Sequence, residues 1–120
     1  MADEAPVLDR AVIAELRESV GDDDEFITDL AATYLAESAE HLAVMDAAAT
    51  AGDAAAIVRP AHTLKSSSAA LGALRLSAIA RDIEMAGRAG NAADLTARVA
   101  DARAVWDATL SEMAAAGLTK

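Results

Sequence analysis

The sequence predicts an all-α protein, arranged as an antiparallel up-down four-helix bundle with a short additional N-terminal helix. Of the 120 residues, 34 are alanine, whereas Phe, Tyr and Trp occur once each, so the composition favours helix over strand. Apolar residues recur at steps of three and four, which is the period of an amphipathic helix. Glycine, aspartate and asparagine divide the chain into helices joined by short turns, and short turns make successive helices antiparallel.

The first two predicted helices differ greatly in length. A short amphipathic segment runs from about Leu8 to Ser19 and ends at Val20-Gly21. The second helix is expected to begin in the acidic run from Asp22 to Glu25, because carboxylates stabilise the free N–H groups of a first turn. It should end near Ala51-Gly52. Its apolar stripe is predicted to comprise Phe26, Leu30, Tyr34, Leu42, Met45 and Ala49.

Three further helices are predicted in the remaining chain. Asp53 is expected to cap the third helix, which should run to about Leu71, and the fourth is expected from about Leu74 to Ala86. Gly87 to Gly90 should form a turn. The fifth helix is expected to begin at Asn91, with Asp94 three residues later completing a capping box. Its stripe is predicted to comprise Leu95, Val99, Ala102, Trp106, Leu110 and Met113.

Length and charge restrict the possible functions. The sequence predicts one helical domain over residues 1–120, which leaves no room for a second, nucleotide-binding domain. A net charge of −10 argues against nucleic acid and anionic membranes as partners. The sequence contains no cysteine, no apolar run long enough to span a membrane and no secretory signal, so a cytoplasmic protein is expected.

The charge is unevenly distributed along the chain. Between Ala54 and Gly90 there are two acidic residues, Asp82 and Glu84, and five basic ones, so this window carries +3 within an acidic protein. The basic residues are Arg59, Lys65, Arg75, Arg81 and Arg88. A locally positive region favours an anionic group or an acidic partner, but such an asymmetry also arises by chance.

The third helix carries a histidine on its outer face. At 100° per residue, His62 falls about 140° from Ile57, the centre of the core-facing side. The residues within about 40° of that centre are Ala61, Leu64, Ser68 and Leu71. One to two turns after His62, on the same face, lie Lys65, Ser66 and Ala69, none of which would stand over the ring. The imidazole is therefore expected to be accessible to a docking partner.

The segment around this histidine, AHTLKSSSAALGA, resembles the signature of histidine-containing phosphotransfer (HPt) domains. That signature consists of His, two residues, Lys and a small residue, with Gly further on. The similarity extends over most of the chain, from the Phe26 to Gly52 helix through the Ile79 to Glu84 segment to the last helix. The resemblance implies a four-helix bundle with a phosphorylatable histidine. It also implies a role in multistep phosphorelays, between aspartates of receiver domains.

The resemblance implies a role for each residue of the motif. His62 would be the phosphoacceptor, attacking through Nε2 while an acceptor holds the proton on Nδ1. Glu84 is the candidate for that acceptor, with an ordinary surface glutamate as the alternative interpretation. Lys65 would neutralise charge on the transferring phosphoryl oxygens. Ser66 is a small residue beside His62, at a position where the family most often has Gly.

The implied partners are receiver domains of response regulators and of a hybrid histidine kinase, bound by a monomer. Docking is expected to use Val58 and Ala69, with Arg59 and Arg75 at the border of the surface. The alternative interpretation of these arginines is that they are solvated or paired within a helix. The sequence contains no ATP-binding glycine-rich motif, so the chain is not expected to be an enzyme with its own kinase activity. No cofactor or metal site is expected, since only two histidines occur and no Glu-x-x-His pair repeats.

Two other functions are compatible with the sequence. One is a non-phosphorylated adaptor or inhibitor that binds a receiver or histidine kinase while His62 stays unmodified. The other is a structural helical bundle in which the motif is a coincidence.

Overall fold

The computed structural model describes residues 4–119 and shows five α-helices and no strand within that range. The helices are α1 (Arg10–Ser19), α2 (Asp24–Thr50), α3 (Ala54–Ala70), α4 (Leu74–Arg88) and α5 (Leu95–Ala115). The helices α3 and α4 pack against each other, α2 packs against α3, and α5 closes the bundle against α2 and α4. The short α1 lies beside α2. The predicted up-down bundle with a short additional N-terminal helix is confirmed.

Aspartates cap the first turns of α2 and of α3, the helix that carries the histidine. Asp23 accepts a hydrogen bond from the backbone N–H of Phe26 at 3.1 Å, and Asp53 accepts one from Ala56 at 3.0 Å. Each satisfies a donor that the first turn of a helix leaves without an intrahelical partner. Asp53 is therefore the cap that the sequence predicts, and the acidic run does start α2.

The buried stripe of α2 begins one residue later than the sequence predicts. Tyr34, Leu42, Met45 and Ala49 are buried as expected, but Phe26 is 50% exposed and Leu30 is only half-buried. Ile27 and Ala31 take their places in the core. Steps of three and four counted back from Tyr34 lead to Ala31 and Ile27. The prediction was wrong at Phe26, whereas Leu30 packs against the core as a half-buried side chain.

The α4–α5 connection also differs from the prediction. Gly87 lies inside α4, which continues to Arg88, and α5 begins only at Leu95. Asn91 accepts a hydrogen bond from the N–H of Ala93 and so closes a turn before the helix. Asp94 is the N-cap residue, with a left-handed backbone (φ 65°) and no side-chain capping bond. The predicted capping box is therefore wrong.

The stripe of α5 is correct at five of its six positions, counting Trp106, which packs against the core. Leu95, Val99, Ala102 and Met113 are buried. Trp106 is half-buried, and Leu110 is exposed. The fully buried residue between them is Thr109, a polar residue outside the predicted stripe, whose hydroxyl donates to the Val105 carbonyl.

The N-terminal segment is fixed to the α3–α4 turn by backbone hydrogen bonds. The N–H of Asp9 donates to the Gly72 carbonyl at 2.8 Å, and the N–H of Arg75 donates to the Pro6 carbonyl at 2.9 Å. Leu8 and Ile13 are buried. Within residues 4–119, no helix is sufficiently long and apolar to cross a membrane.

Candidate functional site

The helix α3 divides into a buried and an exposed face as its sequence predicts. Ile57, Ala61, Leu64, Ser68 and Leu71 are all buried. His62 projects from the other side, and 54% of its side chain is exposed. The predicted accessibility of the imidazole is confirmed.

The helix α4 lies very close to α3 beneath this histidine. A Cβ atom added to Gly87 would lie 2.8 Å from Cγ2 of Ile57 and 2.9 Å from Cγ2 of Val58, so only glycine fits the observed spacing. Further along the interface, the Ser77 hydroxyl donates to the Lys65 carbonyl at 2.8 Å. These contacts fix α4 against the segment of α3 that carries His62.

The close packing places Glu84 of α4 against the ring of His62. Glu84 is buried, with 6% of its side chain exposed, and its Oε2 lies 2.9 Å from Nδ1 of His62. An ionised carboxylate can only accept hydrogen bonds, so Nδ1 carries the proton of this bond. In the neutral ring, Nε2 is therefore the nitrogen with a free electron pair.

Two cations share the same carboxylate. Nζ of Lys65 lies 2.8 Å from Oε1, while Nη2 and Nε of Arg88 lie 2.8 Å and 3.1 Å from Oε2. The bonds from Lys65, Arg88 and His62, in that order of importance, lower the pKa of Glu84 to about 2, although burial acts in the opposite direction. Glu84 is therefore ionised at neutral pH.

The other residues that the sequence singled out differ in their exposure and in their contacts. Ser66 is exposed one turn after His62. Arg59 and Ala69 are exposed and Val58 is half-buried, all on α3. Arg75 is instead engaged within the chain, because its Nε donates to the Ala5 carbonyl at 2.8 Å. The structure thus shows Arg75 holding the N-terminal segment.

Arg88 contacts the carboxylate of the site but was not among the predicted site residues. In the sequence, Arg88 is one of the five basic residues between Ala54 and Gly90. It stands four residues after Glu84 on the same helix, and an acid followed at that spacing by a base is a recognised helical ion pair. That signal could have identified Arg88 once Glu84 was singled out.

The structure shows no cluster of metal ligands in the part of the chain that it describes. Among residues 4–119, no group of three or more His, Asp or Glu side chains is placed to hold an ion. The second histidine, His41, is half-buried on α2.

An exposed imidazole nitrogen beside cations on a four-helix bundle is suited to accept an anionic group from another protein. Residues 29–116 match the family model of the Hpt domain, and the chain belongs to that family. Its structure is similar to that of histidine-containing phosphotransfer protein B (HptB) from Pseudomonas aeruginosa PAO1. The TM-score is 0.77 with 30% sequence identity, and the match covers 88% of this chain and 90% of that chain.

Among curated proteins, the comparison found no significant match. Membership of the family assigns the chain to histidine phosphotransfer in phosphorelays. Hpt domains act there as phosphocarriers rather than kinases, and their partners are receiver domains.

Proposed function

We propose that this chain accepts a phosphoryl group on His62 from the aspartyl phosphate of one receiver domain and passes it to an aspartate of another. The bond between Nδ1 of His62 and Glu84 carries the proposal, because it leaves the free electron pair on Nε2 of a side chain that is 54% exposed. As Nε2 forms a bond to phosphorus, the bond from phosphorus to the aspartate oxygen breaks and the carboxylate leaves. The reverse transfer regenerates the neutral ring.

Lys65 has the charge and position to assist this transfer. Its Nζ contacts Oε1 of Glu84, and its side chain is 31% exposed. Lys65 lies about one helical turn after His62. Phosphoryl transfer depends mainly on positioning and on electrostatic stabilisation of the phosphoryl oxygens, which a nearby ammonium supplies. Ser66 is small and exposed, so it leaves the approach to the ring open.

The exposed face of α3 is the proposed docking surface for receivers of response regulators and of a hybrid histidine kinase. Val58, Arg59 and Ala69 lie on this helix with His62 and are at least partly exposed. Substitution of Ala69→Glu would place a carboxylate in this surface, and we expect receiver binding to weaken at least tenfold. The matched change Ala100→Glu, at an exposed position of α5, should leave binding unchanged. Equal affinities of both variants would contradict this surface.

Transfer from a phosphorylated receiver tests the function directly. Wild type and His41→Gln should acquire an acid-labile label, whereas His62→Gln should remain unlabelled. Incubation with ATP alone should label none of the three. Receiver binding without label on wild type would instead support an adaptor or inhibitor, the other function compatible with the sequence.

A further inference from the structure

Arg88 binds the same oxygen of Glu84 as the phosphoacceptor histidine. Its Nη2 and Nε lie 2.8 Å and 3.1 Å from Oε2, and Nδ1 of His62 lies 2.9 Å from that atom. The other oxygen, Oε1, is occupied by Lys65. The carboxylate is therefore held at both ends by cations, and the histidine depends on the end that Arg88 holds.

The two bonds from Arg88 restrict the rotation of the carboxylate. The terminal torsion of a glutamate has a broad energy profile, so the carboxylate plane is set by its hydrogen-bond partners. Two donors from one planar guanidinium define the direction of Oε2 better than a single donor does. Without Arg88, the imidazole would be the one described donor left on Oε2, and Lys65 would hold the carboxylate through Oε1 alone.

Arg88 would also keep Glu84 paired when Lys65 binds the phosphoryl group. In the proposed transfer, Nζ of Lys65 turns from Oε1 of Glu84 towards the phosphoryl group on Nε2. Glu84 is buried, and a buried carboxylate without a cation is strongly disfavoured. The Arg88 side chain is 61% exposed and binds Oε2. The proposed transfer does not require Arg88 at the phosphoryl group, so Arg88 can keep this contact.

We propose that Arg88 is a positioning residue of the phosphotransfer site. It holds Oε2 of Glu84 on Nδ1 of His62, and it keeps Glu84 paired while Lys65 moves to the phosphoryl group. The first part concerns the unphosphorylated chain alone, whereas the second rests on the proposed function. The two parts therefore need separate measurements.

The first measurement is the tautomer of the neutral His62 ring, observed by ¹⁵N NMR in the unphosphorylated full chain. Loss of a charge-assisted contact in Arg88→Met should lower the ratio of the Nδ1–H to the Nε2–H form about tenfold. Arg88→Lys should restore part of the ratio, because it returns a cation without the planar fork. Arg103→Met removes the same charge from an exposed position of α5 and should have no effect. A wild-type ratio in Arg88→Met would overturn the proposal.

The second measurement is the rate of phosphoryl transfer from a phosphorylated receiver, at saturating and at low concentrations of that receiver. Arg88→Met should lower the saturated rate about tenfold with little change in the receiver concentration that gives half the maximal rate. An altered tautomer ratio with a wild-type rate would overturn the part concerning Lys65. No transfer to wild type would contradict the proposed function, while the tautomer ratio would still decide the role of Arg88 in the free chain.

Discussion

At the scale of single residues, the site depends on one buried carboxylate that accepts from three side chains. Glu84 accepts from Nδ1 of His62 through Oε2 and from Nζ of Lys65 through Oε1. A carboxylate buried without these donors would tend to bind a proton, which would abolish its acceptor role towards Nδ1. The cations of the site therefore keep Glu84 in its acceptor form in the resting chain.

The ion pairs of Glu84 should make the protein sensitive to acid. Its pKa is about 2 in the folded chain and 4.5 ordinarily, so between these values the unfolded chain binds more protons at this position. The contribution to the free energy of unfolding is present above about pH 4.5 and is lost as pH falls towards 2. Urea unfolding should show that Glu84→Gln removes about 2 kcal/mol of this pH dependence.

A matched substitution distinguishes this effect from a general loss of charge. Glu15→Gln removes a carboxylate from an exposed position of α1, and its unfolding free energy should follow that of wild type through the acid range. Parallel curves for Glu84→Gln and wild type would show that Glu84 is not held in its ionised form by folding.

At the scale of helices, the site depends on how closely α4 approaches α3. The sequence predicts the exposure of His62, because helical period alone sets that direction. The family resemblance named Glu84 as the candidate partner of Nδ1, but helical period could not predict that contact, since spacing along the chain does not fix the rotation and separation of two helices. Gly87 was assigned to a turn for the same reason, because its role as a contact between helices is visible only when α3 is in place.

Substitution of Gly87→Ala should disturb the site from a distance. The added Cβ would clash with Ile57 and with the Ala54 carbonyl, at a cost of about 1–3 kcal/mol. The higher helix propensity of alanine offsets about 1 kcal/mol of this. We expect reduced stability in urea, altered His62 ring resonances and slower phosphoryl transfer, because Glu84 lies one turn before Gly87.

Gly52→Ala is the control for this prediction. Gly52 has φ 67° and no atoms within 4 Å of an added Cβ, so alanine is strained there without meeting α3 or α4. It should lower stability while leaving the His62 resonances and the transfer rate unchanged. Identical ring resonances in Gly87→Ala and wild type would contradict the role of the close contact.

At the scale of the whole molecule, polar bonds between helices specify the arrangement of an alanine-rich bundle. The Tyr34 hydroxyl and Ser68 Oγ lie 2.7 Å apart between α2 and α3. Nε1 of Trp106 donates to Ser38 at 2.7 Å, which joins α5 to α2. A shift of one helix along another would break these bonds and leave buried polar atoms without partners.

The single tyrosine reports on this packing. Burial raises the pKa of Tyr34 to about 12, against a smaller opposite effect of the hydrogen bond with Ser68. Folding thus favours the neutral phenol, and the free energy of unfolding should fall as pH rises from 10 to about 12. Absorbance titration should give a midpoint near 12 in the folded chain and near 10 in denaturant, and Ser68→Ala should raise the folded midpoint. A folded midpoint near 10 would contradict the burial of Tyr34.

The sequence by itself determined the helices, their order and the exposure of His62. These features depend on local propensity, on capping by residues such as Asp53 and on the period of apolar residues, which act over one or two turns. It also contained the motif by which the family is identified. Only the tertiary structure decided that Glu84 contacts His62 and Arg88 through the same oxygen, and that Ile27 rather than Phe26 is buried. Contacts between helices depend on their distance and rotation, and these follow from the packing of all the helices together.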